Sequence, residues 1–160
     1  MKKWLFVILA LMVWTAATSQ SAFGVPAATG VEKAKVRLLS PEEGAVVPQN
    51  DPSTGCTPHP IAGFGSVIEF AWRANHLKDI AAYQLFVQHP NATVPLVDVV
   101  VNETSFTLRN CGAFVIDPFL NGWQWRVRAL DGQGNFSDWA EGVFNFAPCR
   151  LADGRPCGSS

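Results

Sequence analysis

The chain has 160 residues, 48% of them hydrophobic, with 12 Lys+Arg against 13 Asp+Glu. That is enough for one domain with its own core and too little for two of ordinary size. A balanced charge with no basic block excludes a phosphate-neutralising surface, so nucleic acid is not an expected partner.

Residues 1–24 read as a secretory signal peptide. Lys2 and Lys3 give a positive start, Trp4 to Ala17 an uncharged apolar run, and Thr18 to Gly24 a mostly small and polar end, with cleavage after Ala22 or Gly24. The run is shorter than the ~20 residues of a spanning helix, so no stable membrane insertion is expected once the leader is removed. No Cys lies near the cleavage region, which argues against a lipid anchor. The leader is bacterial in style, and export then means the periplasm or the exterior. Residues 25–35 follow as a loose linker.

Val36 to Leu39 begins the folded part. Ser40-Pro41-Glu42-Glu43-Gly44 is turn chemistry and Ala45 to Val47 resumes the apolar run, so the segment reads as one edge strand broken by a Pro-containing kink. Pro48 to Gly65 is a long loop rich in Pro, Gly, Ser, Thr and Asn. Ser66 to Arg73 alternates, with Ile68, Phe70 and Trp72 inward against Val67, Glu69 and Arg73 outward. Tyr83, Leu85 and Val87 repeat the pattern against Gln84 and Gln88. Pro95 to Val101 is nearly continuous β-branched sequence, and Ser105 to Arg109 puts Phe106 and Leu108 on one side. The clearest element comes last: Trp123, Trp125, Val127 and Ala129 face one way and Gln124, Arg126 and Arg128 the other, and after the turn residues 131–135 Phe144 and Phe146 alternate with Val143 and Asn145. A hairpin with so much aromatic surface needs a second sheet to cover it. About seven short strands with no competing helix outside the leader predict an all-β fold, an antiparallel β-sandwich.

The strand ending Phe70-Ala71-Trp72, the strand opening on Tyr83, and Trp123-Gln124-Trp125-Arg126-Val127-Arg128-Ala129 with its glycine-containing loop together resemble a fibronectin type III domain, over roughly residues 36–147. The resemblance implies a seven-stranded, immunoglobulin-like sandwich whose core is anchored by Trp72 and Tyr83. Its sixth strand usually opens on Tyr, and here Trp123 stands in that place, a donor that cannot accept a hydrogen bond. Asn135-Phe136-Ser137-Asp138-Trp139 is similar to the endings of bacterial secreted members, which often accompany carbohydrate-active enzymes. The fold alone implies no activity.

Four cysteines in an exported chain imply a disulfide framework, with three connectivities open on number alone. The family topology narrows them, because it brings the first-to-second and fifth-to-sixth strand connections to one pole. Cys56 lies in the first and Cys111 in the last, so the resemblance implies Cys56–Cys111, leaving Cys149–Cys157 to close a small loop in the tail 149–160. A zinc site lacks its paired C-x-x-C spacing.

Catalytic chemistry is thin. His59, His76 and His89 fall in separate loops without partners at ligand spacing, no nucleophile elbow is present, and Glu42-Glu43 are adjacent on a turn and point apart. No catalytic residue, metal ligand or cofactor is expected. The sequons at Asn91, Asn102 and Asn135 would matter only in a eukaryotic secretory route.

Two surface features remain. Arg126 and Arg128 on the outward face, with Trp139 nearby, form either a sugar- or peptide-stacking platform or a stiffening cation–π ladder over the sheet. The loop from Asn110 to Asn121, with Phe114, Ile116 and Phe119, is either an exposed apolar interaction patch or a cover that folds with Ile61 and Phe64 over the open end of the sandwich. The sequence therefore predicts a leader 1–24, a linker 25–35, a sandwich 36–148 and a tail 149–160. It predicts a secreted or periplasmic non-catalytic binding or adhesion module for an extracellular or periplasmic protein or carbohydrate. A structural spacer, and an enzyme inhibitor or accessory domain, are the alternatives.

Overall fold

In the computed structural model, which describes residues 34–159, eight strands make two sheets. They are β1 (Val36–Ser40), β2 (Ala45–Val47), β3 (Ser66–Ala74), β4 (Ala82–Gln88), β5 (Val97–Val101), β6 (Ser105–Asn110), β7 (Trp123–Leu130) and β8 (Ala140–Phe146). The first sheet runs β1-β3-β6 and the second β2-β8-β7-β4-β5. The expected leader and residues 25–33 of the linker lie outside the described residues.

The period-two pattern decides which faces meet. Ile68, Phe70 and Trp72 of β3 are buried against Tyr83, Leu85 and Val87 of β4, Trp125 and Val127 of β7, and Phe144 and Phe146 of β8. Phe70 lies 5.3 Å from the Trp125 ring and 5.9 Å from Phe144, and Trp72 meets Tyr83 edge-on at 5.6 Å. Each such pair adds about 0.5–1.5 kcal/mol to the burial of its rings. Trp123 opens β7 as expected, and its indole N–H donates to the Phe119 carbonyl at 2.6 Å.

The architecture differs from the expected one in two respects. Among the described residues there are eight strands, not seven, because the segment read as one kinked edge strand is two strands in different sheets. β1 runs antiparallel to β3, whereas β2 pairs with β8, and that pairing is parallel, so the second sheet is mixed. Pro41 has no N–H for a ladder, so pairing must lapse there, and Gly44 at φ 74° turns the chain toward the second sheet. The fold also begins earlier than the linker boundary suggests. Ala34 is buried in the core cluster, and the Lys35 N–H donates to the Asn75 side chain at 2.6 Å.

One pole gathers the β2–β3, β4–β5 and β6–β7 connections together with the tail after β8, since β3 starts where β6 ends and β2 and β8 end side by side.

Candidate functional site

Two regions carry the residues singled out in the sequence. At the pole, Cys56 is bonded to Cys111 and Cys149 to Cys157, the pairing that the family topology implies, and no described cysteine is free. Two side-chain amides, one buried and one half-buried, complete the cross-linking. Gln49 accepts the Val115 N–H at 2.6 Å and donates to the Val115 and Ala147 carbonyls at 3.1 and 2.7 Å. Asn50 accepts the Phe64 N–H and donates to the Arg150 carbonyl at 2.6 Å. Gly63 must be glycine here, because a Cβ would fall 2.0 Å from the Asn50 amide oxygen. Arg109 bonds the Thr54 carbonyl, and the Gly158 N–H reaches Ile61 at 2.7 Å.

These bonds use up most of the apolar loop. Val115 and Leu120 pack on the core. Phe114 is half-buried with its ring beside Gly158, and Phe119 is half-buried against the His89 ring at 5.0 Å. Only Ile116, at 52% exposure, stays largely in solvent, with Ile61 at 43%. A cleft of about 260 Å³ between the loop and the tail is lined by Phe114, Ile116, Pro118, Cys149 and Cys157. The loop is tied by the Cys111 disulfide to Cys56 and by Gln49 at Val115, with Phe114 lying against the tail. His89 is itself a satisfied core residue: one ring nitrogen accepts the Asn91 N–H, so the other carries the proton given to the Asn121 carbonyl.

The second region is the outer face of the five-stranded sheet. Arg126 and Arg128 project outward from β7, and Trp139, just before β8, lies over both guanidinium groups at 4.7 and 4.4 Å. Phe86 closes one end at 4.5 Å from Arg126 and Phe136 the other at 3.5 Å from Arg128, giving the order Phe86, Arg126, Trp139, Arg128, Phe136. The sequence reading missed both end plates. The available signal was Phe86 itself, an aromatic at an outward position of β4.

The two arginines end differently. Arg128 gives its Nε and Nη2 to the Gln84 side-chain oxygen at 2.9 and 2.7 Å, and Gln84 donates in turn to Asp98 at 2.8 Å. Its pKa is pulled below the usual range, first by lost hydration and then by the like charge of Arg126, with Asp98 opposing. Beyond its stacking, Arg126 has no hydrogen-bond or ion-pair partner among the described residues. Its Nε is buried and unbonded, and Glu141, directly opposite on β8, forms no ion pair with it. Arg126 borders an open cavity of about 350 Å³ whose walls include Phe86, Gln124, Glu43, Glu141 and Pro90. Glu43 is fixed there by the Val143 N–H at 3.0 Å. Among the described residues there is no group of three or more His, Cys, Asp or Glu placed to hold a metal ion, and no helix is long and apolar enough to cross a membrane.

Fold and site together define a two-sheet β-sandwich with a cross-linked pole and an arginine–aromatic stack on one outer face. Among solved structures it is similar to the solution structure of the fibronectin type-III domain of human fibronectin type III domain containing protein 3. The two share 12% sequence identity and a TM-score of 0.40 over 81% of this chain and 99% of that one. No protein-family model and no curated protein matches the chain.

Proposed function

We propose that this chain is an exported, non-catalytic binding module of fibronectin type III-like architecture, acting on a protein or carbohydrate partner outside the cytoplasm. The observation that carries this reading is the Arg126 cavity. A stacked guanidinium without a protein acceptor sits at the edge of a concave surface, where the rest of the fold satisfies its buried polar groups almost throughout. The two disulfides support an oxidising compartment, as does the leader-like start of the sequence. The rigid pole supports recognition too, because loops ordered in advance lose less entropy on binding.

The test uses oxidised chain lacking residues 1–24, immobilised and presented with a peptide library, a glycan array and the native secretome. Saturable capture that free chain competes away is the expected result. A surface that saturates with none of the three overturns the binding reading in favour of a spacer.

A further inference from the structure

We infer that the cavity beside Arg126 is a receptor for a small zwitterion, whose carboxylate meets the guanidinium and whose ammonium group meets Glu43 and Glu141. This deepens the binding reading above and rests on it.

The guanidinium comes first. Stacking between Phe86 and Trp139 fixes its plane, so its N–H groups are presented in one orientation. A planar fork held in that way matches a carboxylate bidentately, and little entropy is left to lose when the bonds form. Arg128 shows what the same stack does when the protein supplies an acceptor, since Gln84 occupies its Nε and Nη2. At Arg126 no described protein group takes that role. Behind it the fully buried Trp125 also lines the cavity, with its indole N–H unpartnered.

The charges select among anions. Glu43 and Glu141 border the same space, and Glu43 spends one oxygen on the Val143 N–H. His89 directs its ring hydrogen bonds to the Asn91 N–H and the Asn121 carbonyl, so neither ring nitrogen is left over for a ligand. Two carboxylates therefore face one guanidinium. Phosphate or sulfate would place two more negative charges beside that pair, and a simple carboxylate would add one. A molecule that carries an ammonium group along with its carboxylate leaves the balance unchanged and gives Glu43 and Glu141 a donor. The cavity volume sits at the small end of ligand sites, the size of a free amino acid or a short peptide. Gln124, on the exposed face of β7, is free to bond a peptide amide.

Isothermal titration of the oxidised chain at low ionic strength decides it, with alanine, alanylalanine, N-acetyl-alanylalanine, alanylalanine amide, glucuronic acid and inorganic phosphate as probes. Saturable binding by alanine or alanylalanine is expected, and whichever binds more tightly names the source. Blocking either terminus of the dipeptide should weaken it by about tenfold or more, the cost of one lost charge-assisted bond. Arg126→Met should abolish the signal and Arg73→Met, at an exposed position of β3 in the other sheet, should retain it. Glu141→Gln, at an exposed position, keeps the test open if Arg126→Met fails to fold: it should weaken the free dipeptide and leave the N-acetyl form unchanged. Absence of saturable binding by both zwitterions overturns the inference, as does binding that survives Arg126→Met in a folded variant. Glucuronic acid binding as tightly as the dipeptide overturns the ammonium half. If the zwitterions fail while array or secretome capture persists, the cavity assignment falls and the binding-module reading stands. If capture fails as well, both fall.

Discussion

The disulfide pole and the outer face of the five-stranded sheet are built from similar materials, polar loops and aromatic side chains, yet they close in opposite ways. At the pole, the buried amide of Gln49 and the half-buried amide of Asn50 find partners as far as 98 and 100 residues away, and most of the apolar side chains turn inward. On the sheet face the stack is complete in its rings and incomplete in its hydrogen bonds, and of its two arginines Arg126 is the unpaired one. A region whose groups are all paired has its reason inside the molecule. On the proposed reading, the oriented charge left unpaired takes its partner from outside, since an unsatisfied buried donor costs stability that such a partner would recover.

The contrast is sharpest where stability is removed. Replacing Cys56 and Cys111 by Ala opens a 55-residue separation and should cost about 4 kcal/mol on the chain-entropy account, read as a lower denaturant midpoint. A loss below about 1 kcal/mol would mean that the pole is held without its bridge. Next, Phe114→Ser with Phe119→Ser should lower stability by about 3 kcal/mol, because both rings are partly buried. An unchanged melting temperature would return this loop to the role of an exposed patch. Gln49→Ala removes one side chain and strands three backbone groups, for about 2 kcal/mol, with faster amide exchange expected at Val115. The smallest effects belong to the sheet face. Arg128→Met should cost about 1–2 kcal/mol through its stacking and its bonds to Gln84, and Arg126→Met only about 0.5–1 through stacking. Equal losses at the two positions would erase the difference between the arginines on which the binding reading depends.

Much of the fold was legible because burial on one face writes itself into alternation. Ile68-Glu69-Phe70-Ala71-Trp72 and the run from Trp123 to Ala129 could be assigned a face without any partner in view. The split of the first strand was not legible, because Val36–Ser40 and Ala45–Val47 carry no local sign of which neighbour each will pair with. The amides that lock the pole were equally silent. Gln49 and Asn50 sit in sequence that reads as a long loop, and apart from the Phe64 N–H their partners lie 66 to 100 residues away. On the sheet face the alternation gave Arg126 and Arg128 identical descriptions. What separates them is register, which puts Gln84 beside Arg128 and Phe86 beside Arg126, and register is a property of the pairing and not of either strand.

The parallel pairing of β2 with β8 has a mechanical consequence. Because the two strands run the same way, the chain enters β2 and leaves β8 at opposite ends of the paired segment. Tension applied across those two points slides one strand along the other and loads every bond between them together. The flanking bonds from Gly44 to Val143 and from Ala147 to Val47 lengthen that clasp. The antiparallel pair β4–β5, pulled from Ala82 and Val101, would instead unzip from a single end, its bonds breaking in succession. A force-spectroscopy pull through the residues flanking 45 and 147 is expected to rupture at higher force than one through 82 and 101. A module anchored on both sides would then bear load along its length without opening the sandwich.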